Sequence, residues 1–204
     1  MSTVQSEILL ASTSTYRRQL MEAAGYQVRC VSPDYEEKPV DGMEPLDLIL
    51  HHARGKAGSV FRCHPDAIVV GSDQGLVCGE RLMGKPGSVE AAVEQLRTMR
   101  GQKAILATGV VAMAHGKVLE YQNRAILRFR EDITDEEIER YVRWDMPLDC
   151  AGSFKIEAAG SRLFYSIECD DPTAIQGLPM IRLHAMLRKL DPSIDLRYGK
   201  PEGQ

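Results

Sequence analysis

The chain has 204 residues, of which 44% are hydrophobic and 26% charged, and its formal net charge is −4. That length and balance describe an ordinary globular protein able to bury one substantial core. The acidic surplus excludes a general nucleic-acid binder, which shows a basic one, so an anionic ligand has to be held by a local cluster of bases. No segment approaches the roughly 20 apolar residues of a membrane span. Ile8-Leu9-Leu10-Ala11 is too short for the core of a signal peptide. The expectation is a cytoplasmic protein with neither a membrane nor a nucleic-acid partner. Five cysteines stand far apart with no C-x-x-C pair, which points to reduced, mostly buried thiols. His51 and His52 are the only adjacent histidines, so no zinc ligand set is visible, while a hard cation held by carboxylates stays open.

In chain order, Ile8 to Ala11 reads as a first buried strand that runs into Ser12-Thr13-Ser14-Thr15. A helix then covers Tyr16 to Ala24, with Gly25 as its stop. Strand, hydroxyl-rich turn and helix start, with Arg17 and Arg18 beside them, are either an anion site or an N-cap followed by a solvated basic face. No glycine-rich phosphate loop is present. Tyr26 to Val31 suggests a second strand, ending in the acidic loop Ser32 to Pro39. That loop is either solvated or a source of oxygen ligands for a cation. Pro45 opens a helix to about Phe61; Lys56 on it reads as a surface lysine unless another element recruits it.

Pro65-Asp66 and Gly71 bound the β-branched run Ile68-Val69-Val70, a buried strand. At its carboxyl end come Ser72, Asp73 and Gln74. Ligands of α/β sheets sit beyond such ends, so Asp73 is either a working carboxylate or a turn cap. Leu76-Val77-Cys78 and Arg81-Leu82-Met83 flank Gly79-Glu80 as a type II′ hairpin. The return arm leads to Gly84-Lys85-Pro86 and brings Lys85 back towards Asp73. Ser88 caps a helix from Val89 to Met99. Ala104 to Ala114 is a long strand turning at His115-Gly116 into Lys117 to Tyr121, with a further half-buried strand from Ala125 to Phe129. Thr134 and Glu137 form a capping box for a helix to about Trp144. Cys150 to Gly160 is rich in small residues and carries Lys155 and Glu157, either a close-approach segment or a simple loop. Leu163 to Ile167 is the last strand, Met180 to Leu190 the last helix, and Pro192 ends it. The expected organisation is one domain, residues 1–190, and a polar, fraying tail, 191–204. Hairpins mixed with helical crossovers predict an α/β fold with a mixed twisted sheet.

Together, Ser12 and Arg17, Glu37, Lys56, Asp73 and Lys85 suit hydrolysis of a phosphoanhydride. Bases neutralise phosphates, a divalent cation bridges oxygens, and a carboxylate directs water. Ala11-Ser12-Thr13-Ser14 with Arg17, Glu37 before Lys38-Pro39, and Lys56-Ala57 resemble the Maf family of nucleoside triphosphate pyrophosphatases. So do Gly71-Ser72-Asp73-Gln74, Gly84-Lys85-Pro86, Ala151-Gly152-Ser153-Phe154 and Gly177-Leu178-Pro179. The likeness runs from about Ile8 to Leu190. It implies a two-lobed α/β fold around a cleft, with helices on both sides of the sheet, like inosine-triphosphate pyrophosphatases. It implies cleavage of a nucleoside triphosphate to the monophosphate and pyrophosphate, with a divalent cation (Mg²⁺ or Mn²⁺). Asp73 maps to the catalytic position; Ser12, Arg17, Lys56 and Lys85 map to phosphate contacts, and Glu37 with Asp73 to the metal.

The sequence departs from the commonest family pattern at Thr15, where proline is usual, and at Tyr16, where arginine is common. Gln74 stands where threonine follows the aspartate, and Glu157 where glutamine is common. Tyr16, Gln74 and Glu157 resemble the subgroup acting on 7-methyl-GTP rather than on dTTP and UTP. A 7-methylguanine ring is cationic and suits stacking on Tyr16, while Glu157 can accept from its N1 and N2 donors. The competing expectations are a dTTP/UTP-type enzyme, a nucleotide-binding regulator of cell division with little turnover, and an inosine-triphosphate-type house-cleaning enzyme. A homodimer is left open.

Overall fold

A computed structural model describes residues 6–196. Its sheet has seven strands: β1 (Ile8–Ala11), β2 (Arg29–Cys30), β3 (Ile68–Cys78), β4 (Arg81–Met83), β5 (Lys103–Ala114), β6 (Lys117–Phe129) and β7 (Phe164–Glu168). The main order is β2-β1-β3-β5-β6-β7, with β4 also on β3. Five α-helices accompany it: α1 (Thr15–Ala23), α2 (Pro45–Cys63), α3 (Val89–Met99), α4 (Asp135–Asp145) and α5 (Met180–Leu190). β2–β1–β3 is parallel and the remainder antiparallel, so the sheet is mixed, as expected.

Strand alternation sorts the core. Ile8, Leu10, Ile68, Val70, Val110 and Ala112 face one way, into a cluster with Met21 of α1 and Leu183, Met186 and Leu187 of α5. Leu9, Ala11, Val69, Val111 and Met113 face the other way, against Ala53, Ala57 and Val60 of α2. Further along the same strands, Leu76, Leu106, Ala125 and Leu127 build a second core with Leu96 of α3 and with Ile138 and Val142 of α4. One sheet thus carries two lobes.

The local signals explain most of the elements. Ser14 and Ser88 cap α1 and α3 through their hydroxyls, and the Thr134–Glu137 capping box closes at both ends. Cys78 pairs with Arg81 across Gly79, which sits at φ +59, and Ala114 pairs with Lys117 across His115 and Gly116, both at positive φ. These are the tight turns that twisted hairpins favour.

Four expectations are corrected. β3 does not stop before Asp73 but runs on to Cys78, because β5 pairs with it throughout. β6 is continuous through residues 122–124 for the same reason, paired along its length with β5. The second strand shrinks to Arg29–Cys30. The cysteines are free, but Cys30 and Cys63 are exposed and the other three only partly covered. After α5, Pro192–Leu196 forms a 3₁₀ helix with Ile194 buried in the α5 core; residues 197–204 lie outside the described residues. Among the described residues no helix is long and apolar enough to cross a membrane.

Candidate active site

The cleft begins as a gap in strand pairing. β1 runs beside β3 only as far as Gly71, and β4 joins that same edge only at Leu76. Between them Ser72, Asp73, Gln74 and Gly75 are paired on the β5 side alone. Asp73 therefore lies beyond the carboxyl end of β1, where the parallel half of the sheet stops. The strand-end expectation holds for β1, although not for β3 itself. A cleft of about 690 Å³ opens over this edge, and Ser12, Tyr16, Arg17, Glu37, Lys56, Asp73, Gln74, Lys85 and Glu157 all line it. All nine sequence-derived candidates share one cavity.

Small residues bring α2 onto the sheet. A Cβ on Gly71 would stand 2.6 Å from the Ala53 carbonyl and from the Ala57 nitrogen; one on Gly109 would stand 3.1 Å from Leu50 Cα. Gly109 is directly opposite Asp73. The helix axis can come close here, and Lys56 reaches down to the strand. Its Nζ lies 2.7 Å from Asp73 Oδ1 and 2.6 Å from Glu37 Oε1. Lys56 is buried, not a surface lysine, and its immediate partners are two acids. An ammonium enclosed this way needs that much counter-charge to offset its desolvation. Glu37 is half exposed. Burial pushes its carboxyl up, but the Lys56 bond, the charges of Lys56 and His52 and the nearby Lys85 together hold it below the usual glutamate range.

Two residues that the sequence did not single out complete this corner. Tyr35 donates or accepts a 2.9 Å bond with His52 Nδ1, and its ring packs against the bare backbone of Gly55. A Cβ at Gly55 would come within 2.1 Å of Tyr35 Cε2. Burial lowers the His52 pKa, opposed by Asp73 and Glu37. The Tyr35 phenol is raised, first by burial and then by the same two acids. The only sequence hint was the run Ala53-Arg54-Gly55-Lys56-Ala57-Gly58, small residues interleaved with bases on a helix.

The opposite wall is basic. Ser14 Oγ accepts from the Arg17 amide, and Ser12 Oγ accepts from Arg17 Nη1 at 3.3 Å and from the Ser14 amide at 3.1 Å. Arg17 Nε donates to the Gly177 carbonyl at 3.1 Å. Burial draws the Arg17 guanidinium below its ordinary range, with Asp73 and Glu37 opposing; an arginine stays charged regardless. Arg18, the other half of the basic pair, turns outward to Glu22. Lys85 is exposed at the β4 end of the cleft. On the outer rim stands Tyr16, and near it Lys155, whose Nζ donates to the Asp145 carbonyl at 2.9 Å. Glu157 is exposed and lines the same cleft. Gln74 points to the other face of the strand, and its amide nitrogen donates to main-chain carbonyls at residues 174 and 175.

Among the described residues no group of three or more histidine, cysteine or acidic side chains forms a closed cation cage. The pair that does converge, Glu37 and Asp73, suits the other mode of holding a hard cation, by one or two carboxylates plus a ligand's phosphate oxygens and water.

A two-lobed α/β protein with a mixed sheet, and a cleft that sets two lysine-bridged acids against a basic wall, is the class defined so far. The "Staphylococcus aureus Ham1 protein" structure shares this fold, with a TM-score of 0.54 at 15% identity, over 90% of this chain and 99% of that one. The chain belongs to the Maf family: the family model described as "Maf-like protein" matches residues 7–190. Curated relatives include 7-methyl-GTP pyrophosphatases of Aromatoleum aromaticum, 45% identical over 90% of this chain and 95% of the relative, and of Cupriavidus pinatubonensis, 40% identical over 92% and 95%. The Pseudomonas putida protein of the same name is 41% identical over 89% and 95%.

Proposed function

We propose that the protein is a nucleoside triphosphate pyrophosphatase, cleaving the α–β phosphoanhydride of 7-methyl-GTP to give 7-methyl-GMP and pyrophosphate. The observation that carries the reaction class is the opposition of Lys56-bridged Asp73 and Glu37 to Arg17 across one cleft. The names of the relatives support the substrate.

The triphosphate lies between the walls. Arg17, Ser12 and Lys85 offer donors to its oxygens and neutralise charge that grows on the leaving pyrophosphate. Lys56 holds Asp73 through Oδ1, which leaves Oδ2 to face the attacking water. Water adds to the α-phosphorus, its proton passes to Asp73, and the bond from the α-phosphorus to the bridging oxygen breaks, with that oxygen leaving on pyrophosphate. Glu37 and Asp73 would hold a divalent cation, Mg²⁺ or Mn²⁺, which when bound withdraws charge from the phosphate oxygens. At the rim, Tyr16 offers a ring to the cationic base, and Glu157 accepts from its N1 and N2 donors.

The test is pyrophosphate release from a nucleotide panel with and without Mg²⁺. The expected result is metal-dependent release, with the highest kcat/KM for 7-methyl-GTP; release of orthophosphate instead, or no release from any nucleotide, sinks the proposal. Glu157→Gln is expected to narrow the preference for the methylated over the plain base.

A further inference from the structure

Ser72 and Gln74 flank Asp73, and strand alternation sends their side chains to the sheet face away from α2. Gln74 stands opposite Thr108 of β5. Thr108 is buried and does not line the cleft. A hydroxyl and an amide placed among apolar neighbours need partners, and both find them in the 3₁₀ helix Pro172–Gln176. Thr108 Oγ1 donates to the Ala174 carbonyl at 2.8 Å. Gln74 Nε2 donates to the same carbonyl at 2.8 Å and lies 3.2 Å from the Ile175 carbonyl and 2.9 Å from Thr108 Oγ1. The Ala174 carbonyl also accepts from the Gly177 amide at 3.0 Å, so these two side chains add donors to the turn that closes this helix.

That short helix ends at Gly177, in the left-handed region at φ +114. The Gly177 carbonyl accepts from Arg17 Nε at 3.1 Å and from Ser72 Oγ at 2.9 Å. A Cβ at this residue would lie 3.2 Å from Arg17 Nε, so glycine gives both the turn and the room. A continuous path therefore runs from the strand pair β3–β5, through the 3₁₀ helix, to the guanidinium on the basic wall.

We propose that Gln74 and Thr108 are positioning residues for Arg17: they fix the 3₁₀ helix so that the Gly177 carbonyl aims the guanidinium at the phosphates. This rests on the phosphate-binding role given to Arg17 above. Gln74 then acts on the reaction through Arg17, and base preference is left to the rim. Arg17 cannot keep one setting if its carbonyl partner moves, because its other anchor, Ser12, is a single hydroxyl.

Thr108→Val keeps the shape and removes the hydroxyl, and Gln74→Met keeps the length and removes the donor. Both are expected to lower kcat/KM by roughly tenfold or more, since an ångström of misplacement can cost about 100-fold. The loss is the same for methylated and plain GTP. The Arg17 Nε–H resonance, assigned by its absence in Arg17→Lys, shifts in both variants without nucleotide. Thr108→Ser restores rate and resonance together. In an Arg17→Lys background, Thr108→Val costs nothing further. An unmoved resonance, additive losses, or a changed base ratio in Gln74→Met with the resonance in place overturns the proposal. Because the resonance is read without substrate, it reports on this linkage even if the protein releases no pyrophosphate.

Discussion

Lys56 joins two acids 2.6 and 2.7 Å away on separate elements, and its own side chain is only 10% exposed. Lys56→Met takes from Asp73 the cation bonded to its Oδ1, and breaking a buried pair of this kind costs about 3–5 kcal/mol. Glu37, half exposed, adds little to that. Its pH signature has a definite sign. A carboxyl held below its ordinary range stabilises the fold above that range and loses the contribution as the pH falls through its lowered value. Without Lys56 the main cause of that lowering is gone, so this contribution is lost and the acid limb of the stability curve flattens, which denaturant titrations between pH 3 and about 7 would reveal. His52 acts in the same direction. Its lowered pKa means that stability drops as the pH falls below about 6.5, the ordinary imidazole value, and His52→Gln flattens that part of the curve. Asp73→Asn tests chemistry instead: the amide keeps an acceptor for Lys56 and Glu37 keeps a counter-charge, so the fold is retained at a lowered melting temperature while kcat falls by about 10²–10⁴-fold, or ~3–5 kcal/mol of barrier. Wild-type turnover in that variant would remove Asp73 from the reaction. In the sequence Lys56 looked like a solvated helix lysine, because its partner acid comes 17 positions later and only tertiary packing brings them together.

At the scale of elements, the site depends on how closely α2 approaches both the sheet and the acidic loop. Gly55 and Gly58 sit on the same helix, three residues apart, with different surroundings. A methyl at Gly55 would overlap the Tyr35 ring, at 2.1 Å, whereas one at Gly58 meets nothing nearer than 4.0 Å. Gly58→Ala is expected to stabilise by about 0.5–1 kcal/mol, the usual helix gain over glycine. Gly55→Ala should displace Tyr35, and with it the loop that carries Glu37 to Lys56. Activity then falls sharply while helix content by circular dichroism stays unchanged; retained activity would show that the loop reaches Lys56 without Tyr35. The helices themselves were legible, because caps such as Ser88 and Thr134 act within a few residues. Both hairpins were legible for the same reason. The end of β3 was not: the polar run Ser72-Asp73-Gln74 looked like a loop, and only pairing with β5, over thirty residues later, keeps it in the strand. The pairing gap that opens the cleft belongs to β1 and β4, so no local pattern in β3 could announce it.

The whole molecule is two lobes, built of three apolar clusters, strung on the same strands. β3 gives Val70 to the first and Leu76 to the second; β5 gives Val110 to the first and Leu106 to the second. Neither lobe can lose its strands without disturbing the other, and the cleft between them sits on the shared stretch of β3. Unfolding should therefore be one cooperative event. Leu127 is fully buried in the second core, far along β6 from the first. Leu127→Ala should cost about 2–5 kcal/mol, lowering the melting temperature by about 2–4 °C for each kcal/mol. The sharper expectation concerns amide exchange. If the strands transmit the loss, protection at Val70 in the first core drops by the same free energy as protection at Leu106 beside the mutation. Protection retained at Val70 would mean that the lobes open separately, and the shared strands would then act as a hinge beneath the cleft rather than as its rigid floor.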